Sequence, residues 1–186
     1  MTEHARLYPT SVEEYLQGEL VSEVRHEYVA GEVFAMVGST RGHNLVALNI
    51  AAFLRAHLKG GPCFAYMSDM KVRIEAADAF YYPDVVVSCE SLAMSDVFLR
   101  EPVLIFEVLS PSTETTDRRE KRLNYQKLPS LQEYVLVSPE EVRVEVYRRR
   151  GEALELDIYG EEDTAIGLRS VKANLPLAEV YADVFN

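Results

Sequence analysis

Cysteine is scarce in this sequence, basic residues are outnumbered, and no apolar run is long enough to cross a bilayer. Two cysteines in 186 residues, Cys63 and Cys89, cannot build a multi-bridge framework, and neither belongs to a CxxC pair. They are expected as two reduced core thiols in a reducing compartment. The longest apolar stretch, Leu45 to Leu58, is interrupted by Asn49, Arg55 and His57. It also falls short of the ~20 residues that a spanning helix needs. The opening Met-Thr-Glu-His-Ala-Arg has no apolar core of a signal peptide. The expectation is therefore a cytoplasmic protein with no membrane association. Lys and Arg number 19 against 30 Asp and Glu, a formal net charge of −11. That counts against a protein that coats DNA by bulk charge, since neutralising phosphates takes clustered Lys and Arg. It leaves room for an enzyme that meets a few phosphates through a local patch and a bound cation. HExxH, P-loop and GxSxG motifs are absent, and His4, His26 and His57 show no metal-ligand spacing.

What is present suffices for a core. Hydrophobic residues make up 48% of the chain, with 11 Tyr and 7 Phe. With no linker, repeat or low-complexity tract, one domain over residues 1–186 is expected. A hydroxyl residue followed three positions later by Glu, within Thr10 to Leu16, predicts a short capped helix. Arg25 to Met36, folded about Ala30-Gly31 and flanked by residues that include Val37, reads as a β-hairpin. Gly42-His43 opens a helix with Leu45, Leu48 and Ala52 at helical spacing, stopped by Gly60-Gly61-Pro62. Strands follow over Cys63 to Ile74 (with a bend), Tyr81 to Ser88 and Pro102 to Leu109. Next come a helix from Asp117 to Leu128, strands over Glu133–Ser138, Val142–Arg149 and Ala153–Tyr159, and a closing helix from Leu175 to Val184. Alternating strands and helices predict an α/β fold: a central mixed β-sheet flanked by helices, with additional N-terminal and C-terminal β-hairpins.

The chemistry concentrates in three places. Val103-Leu104-Ile105-Phe106-Glu107-Val108-Leu109 is apolar on both faces, as a central strand requires, yet carries Glu107 in its middle. A buried carboxylate must be paired, protonated or bound to a cation. Tyr82-Pro83-Asp84-Val85-Val86-Val87 sets a second carboxylate at the start of another apolar strand. On neighbouring strands Asp84 and Glu107 would meet, and a divalent cation such as Mg²⁺ relieves such a pair. Asp117-Arg118-Arg119-Glu120 reads as a capping box, which puts Lys121 in the first turns of a helix. Lys121, Asn124, Tyr125 and Leu128 then share an inward face. The same helix offers a basic patch of Arg118, Arg119, Lys121, Arg122 and Lys127, while Arg148-Arg149-Arg150 reads as a hairpin tip. His43, at a helix start, is placed to touch a phosphate or orient an acid.

These residues carry a family resemblance. Glu27-Tyr28-Val29-Ala30-Gly31-Glu32, His43 and Pro83-Asp84-Val85-Val86-Val87 belong to it. So do Phe106-Glu107-Val108-Leu109-Ser110-Pro111-Ser112-Thr113, Asp117, Lys121, Tyr125 and Glu133-Tyr134-Val135-Leu136-Val137. Together they resemble the Uma-type ("Uma-two") restriction endonuclease family within the PD-(D/E)xK nuclease superfamily. The resemblance implies a restriction-endonuclease-like fold, DNA as substrate, Mg or Mn as cofactor and a homodimer. It adds Glu27 as a third acid beside Asp84 and Glu107. Where the superfamily motif has a lysine two residues after the strand Glu, this chain has Leu109. The resemblance implies that Lys121 supplies the amine instead. The alternative is a catalytically decayed nuclease fold that binds nucleic acid or protein, with Leu109 marking the decay.

Overall fold

The computed structural model describes residues 9–36, 38–151 and 153–185. The leader reading of the first six residues and the place of Val37 lie outside them. The chain runs α1 (Val12–Val21), β1 (His26–Val29), β2 (Glu32–Ala35), α2 (Arg41–His57), β3 (Phe64–Met67), β4 (Lys71–Ile74), β5 (Ala79–Tyr81), β6 (Val85–Ser88), β7 (Phe98–Leu99) and β8 (Pro102–Val108). A helical segment follows, made of α3 (Glu114–Thr116), a π turn (Asp117–Lys121) and α4 (Arg122–Tyr125). Then come β9 (Glu133–Val137), β10 (Val144–Arg150), β11 (Ala153–Tyr159), β12 (Ala165–Leu168), β13 (Ala173–Pro176) and α5 (Leu177–Val180).

The strands form a six-stranded mixed sheet, β11-β10-β9-β8-β6-β3, a five-stranded sheet, β2-β1-β5-β4-β7, and the hairpin β12-β13. One face of the larger sheet, with Val85, Val87, Leu104 and Phe106, packs on Val46, Ile50 and Leu54 of α2 and on the β12-β13 hairpin and α5. Its other face, with Val86, Ile105, Tyr134 and Leu136, packs on Val72, Ile74 and Tyr81 of the smaller sheet and on Tyr125 and Leu128. On the outer side of the smaller sheet, Tyr15 of α1 meets Tyr28 and Phe80. The gap between the two sheets is where the site forms.

Several sequence readings shift in detail. Ser11 caps α1 in a box with Glu14. The β1-β2 turn holds Ala30 and Gly31 at φ 49° and 92°, and left-handed backbone of this kind favours glycine. Helix α2 buries Val46, Ala47, Ile50, Ala51 and Leu54, while Leu48 is exposed, so the inward stripe is rotated from the expected one. The two predicted strands Cys63–Ile74 and Tyr81–Ser88 each break into two, with the pieces in different sheets. Ser68-Asp69-Met70 and Tyr82-Pro83-Asp84 are the crossings, and they are tied together where the Ser68 N–H donates to the Asp84 carbonyl at 3.3 Å. Pro83 has no N–H to continue a ladder. The short strand β7 and the β12-β13 hairpin were not foreseen, and the closing helix shrinks to Leu177–Val180.

The cysteine reading is corrected as well. Cys63 and Cys89 form a disulfide. Phe64 pairs with Ser88 in the β3-β6 ladder, so the cysteines one step further stand opposite each other, with Cα atoms 4.0 Å apart. Among the described residues no helix is long and apolar enough to cross a membrane.

Candidate functional site

Strand alternation aims three acids into the gap between the sheets. Glu107 shares a face of β8 with Ile105, and Asp84 shares the side of Val86 at the start of β6. Glu27 lies on the Val29 side of β1 in the opposing sheet. Val85 pairs with Phe106, so one further step sets Asp84 across from Glu107. The Val108 N–H, next to Glu107, donates to Asp84 Oδ2 at 2.7 Å.

Lys121 enters the same gap from the π turn. Its Nζ lies 2.9 Å from Glu27 Oε1, 3.3 Å from Glu107 Oε1 and 3.3 Å from Asp117 Oδ1. The Tyr81 ring lies 5.5 Å away. Lys121 is 5% exposed and Glu107 3%. The Tyr125 hydroxyl donates to Glu107 at 3.2 Å, and the Tyr82 N–H donates to Glu27 at 3.2 Å. On the far side, His43 Nε2 stands 3.4 Å from Asp84 Oδ2. His43 sits in the first turn of α2, its N–H donating to the Thr40 cap. All five expected residues therefore line one cleft of about 650 Å³.

The electrostatics follow from burial and crowding. Burial drives the Glu107 carboxyl well above the ordinary carboxylate range. Lys121 opposes this, and Asp117, Asp84 and Glu27 add to it. Burial alone would lower Lys121, but Glu107, Glu27 and Asp117 outweigh it and hold the ammonium well above its usual value. His43 is likewise disfavoured as a cation by burial, yet its bond to Asp84 raises it overall.

Two readings of the helix are overturned. Asp117 is not a cap: its φ and ψ of −62° and −42° are helical, and the helix starts a turn earlier, where the Ser110 carbonyl accepts from Thr113 and Glu114. Asp117 is instead 1% exposed and faces the cleft, a site residue that the capping reading concealed. Its i, i+4 spacing from Lys121 was the available signal. The basic patch is also largely drawn into internal contacts, with Arg119 left exposed. Arg118 bridges Glu114 and Glu145, Arg122 lies over the Tyr147 ring and Lys127 donates to Asn124. Of Arg148-Arg149-Arg150, Arg148 is buried against Glu133 and Asp157, and Arg149 donates to the carbonyls of Gln126, Leu128 and Leu131.

A family model described as "Uma2: Putative restriction endonuclease" matches residues 12–178. The chain belongs to the Uma2 family. Two proteins of Synechocystis sp., each described as uncharacterized, are relatives. One, slr1290, is 34% identical over 172 residues, spanning 92% of this chain and 90% of its own. The other, sll1609, is 32% identical over 142 residues, 75% of this chain and 80% of its own. A crystal structure from Anabaena variabilis, titled as a "putative nuclease belonging to DUF820", superposes with a TM-score of 0.77 at 21% identity. It covers 95% of this chain and 99% of that one. The restriction-endonuclease-like fold of this Uma2 chain agrees with that likeness.

Among the described residues no group of three or more His, Cys, Asp or Glu side chains is set out to hold a metal ion. The Lys121 ammonium stands among the acids instead. The donor chemistry nonetheless fits a hard cation. Glu27, Asp84, Glu107 and Asp117 are oxygen donors, and together they carry more negative charge than Lys121 and His43 can balance.

Proposed function

We propose that this Uma2 chain is an endonuclease that hydrolyses phosphodiester bonds of DNA, with Asp84 and Glu107, joined by Glu27, holding Mg²⁺ or Mn²⁺. One observation supports the reading above all. Four carboxylates line one cleft, three of them on a single ammonium and Asp84 beside His43, at the junction of two sheets, in a chain whose family is described as restriction endonucleases. Such a surplus is costly to maintain unless the site serves to attract positive charge. When bound there, the divalent cation supplies Lewis acidity and offsets the charge of the phosphate.

The chain's own groups do the rest. The protonated Lys121 would hold negative charge on the phosphoryl oxygens as a water oxygen bonds to phosphorus and the ester P–O bond breaks, the leaving oxygen taking up a proton from solvent. His43 and the Val108 N–H hold Asp84 in orientation. Val29, Tyr81 and Tyr82 line the cleft beside the acids.

Plasmid cleavage in Mg²⁺ or Mn²⁺ tests the reading, comparing the natural chain with Asp84→Ala and Glu107→Ala. Both variants are expected to lose at least 100-fold in rate, roughly the loss of one key electrostatic contributor. Equal cleavage by all three would refute it. A second reading, a decayed nuclease fold that binds a partner, is favoured by the way the Lys121 ammonium already stands among three of the acids. Calorimetry separates the two: Mn²⁺ binding abolished by Glu107→Gln supports the enzyme, and no binding supports the module. The resemblance also implies a homodimer, which sedimentation measures directly.

A further inference from the structure

Asp117 is the group at this site with the least ordinary surroundings. It is 1% exposed, and its Oδ1 accepts no hydrogen bond among the described residues. What faces that oxygen is the Lys121 ammonium at 3.3 Å. A buried carboxylate oxygen left so poorly satisfied costs stability, and such groups recur where function retains them.

The backbone between the two residues is unusual too. Asp117–Lys121 is a π turn, set within a helical segment that is otherwise α. In an α-helix, residues four apart lie roughly 40° past a full turn from each other, at 3.6 residues per turn. The wider i→i+5 turn keeps such a pair on one face of the segment, and single π turns inside helices recur at functional sites. Here it sends Asp117 and Lys121 into the cleft together, while Arg119 between them is exposed.

The three acids on Lys121 are not equivalent. Glu27 and Glu107 come from strands of opposing sheets, and both are proposed to face the cation or the substrate. Asp117 rides on the same turn as the lysine, so its hold survives any adjustment of the strands.

We propose that Asp117 is a positioning residue: through its buried carboxylate and the π turn it keeps the Lys121 ammonium inside the cleft, directed at the reacting phosphate, without itself holding the cation. The proposal rests on the endonuclease reading only for its kinetic consequence.

The test uses the full chain and begins with Asp117→Asn, which preserves shape and removes charge. The readout is the ¹⁵N–¹H signal of the buried lysine ammonium at one fixed pH, assigned by its loss in Lys121→Met. The signal is expected to vanish or move in Asp117→Asn, while Mn²⁺ affinity by calorimetry stays within threefold of the natural chain. In the cleaving enzyme kcat should fall at least tenfold with KM little changed. An unmoved ammonium signal in a folded variant overturns the proposal. So does a tenfold loss of Mn²⁺ affinity, which would make Asp117 a ligand. Should circular dichroism show Asp117→Asn unfolded, Asp117→Glu carries the test: it is expected to keep the signal, and a folded Glu variant without it overturns the proposal. The spectrum and the titration are independent of cleavage, so a natural chain that cuts no DNA refutes the nuclease reading and leaves the role of Asp117 decidable.

Discussion

Replacing Lys121 by Met should unbalance the cleft more than any other single change. The side chain is 5% exposed and its ammonium contacts Glu27, Glu107 and Asp117. Met fills much of the same volume, so the loss is mainly of charge. Breaking a buried ion pair by removing one partner costs about 3–5 kcal/mol, because the other charge is left uncompensated. The cost must depend on pH. Glu107 already binds its proton well above the ordinary carboxylate range through burial, against the opposition of Lys121. Without the lysine, Glu107 holds its proton more tightly still. The folded state then binds more protons than the unfolded chain above the ordinary carboxylate pKa, so stability of the variant falls as pH rises. For Lys121 itself the sign runs the same way. Its folded pKa is raised, so its stabilisation is full below the unfolded value and is lost only as pH climbs through the folded one. Urea unfolding at pH 7 should therefore show a loss of about 3–5 kcal/mol, shrinking markedly at pH 5. A loss below about 1 kcal/mol, as for a surface pair, or one equal at both pH values, would refute the reasoning.

Three further outcomes are expected. His43 is raised by its bond to Asp84 despite burial, so its stabilisation is present below about pH 6.5 and is lost as pH rises through its higher folded value. His43→Gln should therefore cost more stability at pH 6 than at pH 9 in urea titrations, and an equal cost would show that the ring acts only by packing. The Cys63–Cys89 bridge closes a sequence separation of 26 residues. Chain-entropy arguments give it about 3 kcal/mol, so the double Cys→Ser variant should unfold at correspondingly lower urea, whereas no change would mean that the thiols are free. Tyr125→Phe removes a buried hydroxyl that donates to Glu107 at 3.2 Å. It should cost about 1.5–3 kcal/mol if Glu107 is ionised and about 0.5–1.5 kcal/mol if it is protonated, and a cost near zero would show that the hydroxyl does not hold Glu107.

How far the site could be read in advance differs from residue to residue. Glu107 was legible because one charge inside an apolar strand breaks the local pattern, and the two-residue period fixes which face it shares. Asp84 was legible as an acid that follows a proline and heads an apolar run. Asp117 was misread, since Asp followed three residues later by Glu looks like a cap until the helix is seen to begin at Ser110-Pro111-Ser112-Thr113. The basic patch was misread for a related reason: Arg118 and Arg122 share the π turn's neighbourhood with Glu145 and Tyr147, which are distant in sequence. The broken strands could not be seen because hydrophobic periodicity records burial and not which of two sheets does the burying.

Local rules alone determined most of the elements, the inward lysine and the acids on their strands, because capping, alternation and helical spacing act between near neighbours. Tertiary structure alone decided that β1 and β8, in opposing sheets, turn Glu27 and Glu107 toward one ammonium. It likewise set Cys63 opposite Cys89, and buried Asp117 where a cap was expected. Those outcomes depend on through-space electrostatics and pairing between segments dozens of residues apart, and no pattern within a short window encodes them.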